Sequence, residues 1–126
     1  MSSRGVFSFF FSFHFDHVVC EGLAFGMEDL RIPDNRISAS SYKSSNPEDF
    51  FAPRKARLNL APGWCAETEN KQQWLQIDLA KPVVFGKVAT QGNYKRWIKT
   101  YYVNHSLDNI TWNRYSENGA DKVSVI

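Results

Sequence analysis

The stretch Gln73-Trp74-Leu75-Gln76-Ile77-Asp78-Leu79 constrains this chain more than any other. Leu75, Ile77 and Leu79 share one face of an extended backbone, and Trp74, Gln76 and Asp78 share the other. Polar residues 67–72 precede it and Lys81-Pro82 follows, so period-two alternation bounded by turn chemistry predicts a strand with one apolar face. A helix would scatter the three aliphatics around its circumference. The core is expected to build on this strand.

The chain has 126 residues, room for one domain rather than two. Apolar residues make up 43%, enough for a core, and the 15% share of aromatics, with little helical periodicity, points to an all-β architecture. A net charge of +2 is too small to argue for a nucleic-acid partner. The two cysteines, Cys20 and Cys65, permit one internal disulfide at most. His14, His17 and His105 form no metal pair at helical spacing, so no metal or cofactor is expected. No run of about 18 apolar residues would span a membrane as a helix.

Residues 1–19 differ from the rest, with Phe7, Phe9, Phe10, Phe11, Phe13 and Phe15 spaced by Ser, His and Asp. A basic start at Arg4 and an apolar centre suit a secretory leader. Asp16 and two histidines, however, stand where small residues should precede a cleavage site. The alternative is an irregular extension or the product of a mispredicted first exon.

After Cys20, glycines and Pro33 mark residues 21–35 as loop and turn, and 37–42 reads as a short strand. Residues 43–53 form an irregular excursion carrying Phe50-Phe51 among proline and acidic residues. Two readings stand: one ring plugs the end of the core, or the pair forms an apolar tip for a partner or membrane. On the second, replacing both by serine spares folding. Residues 54–59 are basic and lead back across the sandwich, 59–63 is a second turn, and 83–90 is a β-branched strand. Residues 91–96 form a third turn, with Tyr94, Lys95 and Arg96 at its tip. The run 97–106 is a strand, and 107–110 turns it back into 111–115, with Asn109 suited to positive φ. A final strand is read at 122–126. Short strands with turn signals at intervals of roughly ten residues predict a β-sandwich or jelly roll.

No phosphate-cradling loop, nucleophile elbow or paired carboxylates appear, so no enzyme activity is expected. Cys65 reads as structural, since nothing local supplies a base for a catalytic thiol. Asp78 reads as a structural carboxylate that satisfies backbone donors rather than as a general base. Two acceptor triplets for N-glycosylation occur, Asn104-His105-Ser106 and Asn109-Ile110-Thr111, the second at a hairpin tip.

Gly26-Met27-Glu28, Arg31-Ile32-Pro33-Asp34, residues 37–41, Ala56-Arg57-Leu58-Asn59, Gly63-Trp64-Cys65, 73–79, 88–92 and 106–112 together resemble, in order and spacing, the discoidin domain, or coagulation factor V/VIII type C domain. The resemblance covers residues 20 to about 115. It implies a distorted jelly-roll β-sandwich or barrel, found extracellularly and non-catalytic. Members bind cell-surface carbohydrate, anionic phospholipid, collagen or other proteins through loops at one end. Carried onto this chain, those loops are 45–52, 59–63 and 93–96, which gives Phe50, Phe51, Tyr94, Lys95 and Arg96 as candidate ligand-binding residues. Trp64, Trp74, Asp78, Cys20 and Cys65 fall at structural positions. Apolar tips beside cations suit a membrane surface, and aromatic rings beside polar groups suit a sugar.

Cys20 resembles a first cysteine that pairs near the family's C-terminus, and Cys65 one that in some relatives pairs in the same region. Residues 116–126 do not resemble the family's continuation, so the chain reads as a domain lacking its C-terminal closing strands. Three functional readings follow. The first is an extracellular lectin-like or lipid-binding adhesion module. The second is an incomplete, non-functional fragment of a larger cell-adhesion or receptor protein. The third is an accessory module of a carbohydrate-active enzyme. Unpaired strands would make the isolated chain marginal or prone to self-association, without a Cys20–Cys65 bridge. Cooperative two-state melting of a monomer, or that bridge in a non-reducing peptide map, would refute this expectation.

Overall fold

The computed structural model describes residues 25–83, 87–92 and 96–117, together with the backbones of short strands at Phe7–Phe10, His14–Phe15, Val18–Val19, Ala120–Asp121 and Ser124–Val125. Among the described strands every pairing is antiparallel, and the only helical pieces are 3₁₀ turns at Asp34–Arg36 and Pro53–Lys55. The chain is mostly strand and turn, as its aromatic and β-branched content predicts.

The expected central strand forms at Leu75–Ile77 and pairs with Ile37–Ala39, with Ile37 opposite Ile77 and Ala39 opposite Leu75. Leu75 is buried in a core with Met27, Ile32, Ile37, Ala56, Trp64 and Tyr101, and half-buried Ile77 and Leu79 pack against it. The apolar face is therefore the one the alternation marks. Backbone bonds from Ser40 N–H to Trp74 O at 3.0 Å and from Asp78 N–H to Arg36 O at 2.9 Å extend the pairing at its two ends, and side chains add to it there. The Ser40 hydroxyl accepts the Trp74 N–H at 3.0 Å. At the far end the Asp78 carboxylate accepts the Ala80 N–H at 2.7 Å, where Ala80 turns to φ 67°.

Lys87–Thr90 pairs with Phe7–Phe10, Thr100–Tyr101 with Ser124–Val125, and Asn104–His105 with Asn113–Arg114. The strand expected over 97–106 is thus two short pieces, and Trp97 and Ile98 precede them outside any strand.

The basic stretch 54–59 departs most from its sequence reading. Pro53 opens a 3₁₀ turn, Ala56 is wholly buried, and Arg57 is 2% exposed. The Arg57 guanidinium donates to the carbonyls of Met27 at 2.7 Å and Ile32 at 2.8 Å, and to the Asp34 carboxylate at 2.7 Å. Its Nε donates to the Arg54 carbonyl at 3.1 Å. The Met27 and Ile32 carbonyls belong to the turn after Gly26, closed by Ile32 N–H to Gly26 O at 3.0 Å. Gly26 sits at φ 105°, and a Cβ there would lie 2.4 Å from that of Arg31, so the turn admits only glycine. The buried Arg57 guanidinium is therefore the peg on which residues 26–34 are hung.

Arg57→Ala strips partners from two buried carbonyls and leaves a cavity, and is expected to cost about 3–5 kcal/mol. Arg57→Lys should recover only part of this, because an ammonium cannot reproduce the planar fork. Urea denaturation checks both. A midpoint for Arg57→Ala no lower than that of Arg54→Ala would refute the assignment.

Candidate ligand-binding loops

The first loop, 45–52, is a succession of tight turns. Ser45 Oγ donates to the Pro47 carbonyl at 2.9 Å, Phe50 N–H to the same carbonyl at 3.0 Å, and Ala52 N–H to Asp49 O at 3.0 Å. Asp49 pairs with Arg54 at the next 3₁₀ turn, and this hydrogen bond holds its carboxyl below the usual carboxylate range. The two phenylalanines divide the two roles the sequence leaves open. Phe51 is 7% exposed and Phe50 41% exposed, the rings meeting edge to face at 4.9 Å. Exchanging both for serine would therefore not spare folding, because only Phe50 stands in solvent.

The second loop, 59–63, is anchored at Asn59, which takes φ 58°. Its N–H donates to Gln91 Oε1 at 2.7 Å, its Oδ1 accepts Gln91 Nε2 at 3.3 Å, and its Nδ2 donates to Glu28 at 2.6 Å. Leu60 beside it is exposed. Gln91 stands at the entrance to the third loop, so the second and third loops are bonded to each other. Tyr94 and Lys95 lie outside the described residues, as does Cys20. Arg96 is exposed, and its guanidinium lies 4.7 Å from the Phe51 ring centroid, which joins the third loop to the first. Trp97 follows, 61% exposed. A Cβ on Gly92 would come within 2.7 Å of the Trp97 Cβ, so glycine there lets the loop close on itself. Cys65 N–H donates to Phe51 O at 3.4 Å and ties the exit of the second loop to the first.

The three loops thus form one bonded cluster bearing Phe50, Leu60 and Trp97 in solvent with Arg96 among them. Sequence reasoning misses Leu60 and Trp97. Trp97 reads as strand because it opens an aromatic and β-branched run. The usable signal is its place directly after two cations and a turn.

Of the positions read as structural, Trp64 and Asp78 make specific polar contacts. Trp64 is buried and its Nε1 donates to Ser41 O at 2.8 Å. Asp78 accepts from Arg36 at 2.9 Å as well as from Ala80. Cys65 is a free thiol, half-buried, with Sγ 3.7 Å from Ala66 O. Among the described residues no three His, Cys, Asp or Glu side chains gather to hold a metal ion.

A second concave surface, a groove of about 860 Å³, shares no residue with the loops and is lined by Trp74, Gln76, Asn104, Asn109 and Trp112, among others. Its rim carries the 106–111 turn that joins the paired strands Asn104–His105 and Asn113–Arg114. Ser106 Oγ accepts the Asn109 N–H at 2.9 Å, and Asp108 Oδ1 accepts the N–H groups of Ile110 at 2.9 Å and Thr111 at 2.8 Å. Asn109 takes φ 61°, as its position in the turn predicts. The Thr111 and Ile110 N–H groups and then the Ser106 hydroxyl pull the Asp108 carboxyl down to about 2.

The F5/8 type C domain family model matches residues 36–125, well over half of the chain. The chain belongs to this family, and its strands form a discoidin-type β-sandwich. The match begins later than residue 20 and runs past Tyr115, so residues 116–125, expected to fall outside the resemblance, lie inside the family match. Coagulation factor V of Mus musculus is 36% identical over 107 residues, covering 78% of this chain and 5% of the relative. The non-catalytic subunit of the venom prothrombin activator omicarin-C of Oxyuranus microlepidotus is 40% identical over 100 residues, covering 71% and 7%. Lactadherin of Rattus norvegicus is 34% identical over 107 residues, covering 78% and 25%. The chain thus spans between 5% and 25% of the length of these relatives.

The Asp108 cap has a definite acid signature. Its carboxyl is lowered from 3.8 to about 2, so its stabilising effect on the turn is complete above pH 4 and is lost as pH falls through 2. Carboxyl-detected NMR titration should place its midpoint near 2, and Asp108→Ala should remove that component of acid sensitivity. A midpoint near 3.8 would show that the cap is not formed.

Proposed function

We propose that this chain is a non-catalytic extracellular binding module that docks on anionic phospholipid surfaces through its three-loop cluster. The observation that carries this reading is the exposure of Phe50, Leu60 and Trp97 on loops bonded to one another beside the Arg96 cation. An apolar side chain moved from water into the acyl boundary gains about 1.5–3 kcal/mol if fully buried. A cation held at the headgroups adds about 1 kcal/mol. The two act together only if rings and charge meet the surface at once, and the ties through Asn59, Gln91 and the Phe51 ring hold them in place. Residues already tied in this way spend little further entropy on docking. Membership of the family of factor V and lactadherin supports the extracellular setting.

Co-sedimentation with phosphatidylcholine vesicles, with and without phosphatidylserine, tests the proposal. Binding should require phosphatidylserine and weaken as salt rises. Phe50→Ser and Trp97→Ser should each weaken it about tenfold or more, at a smaller cost in stability than the loss of Phe51. Phe51→Ala should instead lower stability by about 3–5 kcal/mol. Vesicle binding indifferent to Phe50→Ser and Trp97→Ser would sink the reading, as would binding on a glycan array with none to lipid.

A further inference from the structure

The hairpin formed by Asn104–His105 and Asn113–Arg114 carries a feature the loop cluster does not use. Both acceptor triplets for N-glycosylation fall on it, and the structure separates them. Asn104 is half-buried in the strand Asn104–His105, opposite Arg114, and its Oδ1 accepts from Arg114 Nε at 3.4 Å. That guanidinium in turn lies 3.9 Å from the Tyr102 ring centroid, so Asn104 sits beside a cross-strand cation–ring stack. The hydroxyl of its triplet, on Ser106, bonds within the turn to Asp108 and Asn109, and that of Thr111 likewise bonds to Asp108, so burial and backbone pairing are what set the two triplets apart.

Asn109 differs in its exposure and in standing outside any strand. It stands exposed in the turn, between Leu107 at 87% and Ile110 at 83% exposure. Its Oδ1 accepts Gln76 Nε2 at 2.9 Å, while no described residue accepts a hydrogen bond from its Nδ2. Glycosyl transfer modifies Nδ2 and leaves the amide oxygen and one N–H in place. The Gln76 contact therefore survives the modification.

We infer that Asn109 is an N-glycosylation site and that Asn104 is not. The inference rests on the extracellular reading, since the reaction belongs to the secretory pathway. The donor is an oligosaccharide linked to a lipid through pyrophosphate. Nδ2 attacks the anomeric carbon, the C–N bond forms, and the C–O bond to pyrophosphate breaks. The lipid pyrophosphate leaves and Nδ2 gives up one proton to the transferase. Because Asn109 lines the groove between the 74–83 and 102–112 segments, its glycan would lie along that rim, over Leu107 and Ile110.

The full chain, placed behind an added cleavable leader and translated into microsomes, tests this directly, with protease protection confirming import. One endoglycosidase-sensitive glycan is expected. It should disappear in Asn109→Gln and Thr111→Ala and persist in Asn104→Gln and Thr111→Ser. An imported chain without glycan, or one whose glycan persists in Asn109→Gln, overturns the inference. The chain lacking the added leader forms a separate arm. Its entry into microsomes would support the leader reading of residues 1–19, while occupancy in the first arm alone decides the inference about Asn109.

Discussion

The Arg57 guanidinium is the contact on which the described body of this protein depends. A buried cation is tolerated only where its donors are met, and here two carbonyls of one turn, a carboxylate and the Arg54 carbonyl meet them. The arrangement fixes where Met27 and Ile32 enter the core, and those two residues close it against Leu75 and Ile37. The apolar packing is thus registered by a polar device. The same turn carries Glu28, which holds Asn59, so the placement of the second loop also follows from that guanidinium.

The loop end is organised by the same means at smaller scale. Its loops lack the ladder bonds of strands and are held by side chains: Asp49 with Arg54, Asn59 with Gln91, and Arg96 over Phe51. Each tie involves a charged or amide group and leaves its apolar neighbour outside. Exposed rings and aliphatics at loop tips are usually a solubility liability. On loops this firmly tied, they are better read as a surface prepared for a partner that is itself part apolar and part anionic.

Much of this is legible in the sequence, for reasons that differ by residue. Alternation over 73–79 reveals the central strand because period two and burial on one face are the same physical fact. Asn109 reveals its turn because few residues accept positive φ. The Phe50-Phe51 pair shows that one ring must differ from the other, yet not which. That depends on the distant contacts to Arg96 and Cys65. Arg57 is hidden by its basic neighbours, since burial of a cation depends on carbonyls far along the chain, with Arg57 and Met27 separated by 30 positions. Trp97 is hidden by its own strand propensity, which tertiary context overrides.

The division between tying residues and tip residues in the loops has a wider consequence. Asp49, Asn59, Gln91, Gly92 and Arg96 hold the geometry, while Phe50, Leu60 and Trp97 stand beside them, their side chains outside the bonds that fix it. The three tips are therefore interchangeable parts on a set frame. A scaffold of this kind can be retargeted, from lipid to sugar or to another protein, by exchanging a few side chains and without learning to fold again.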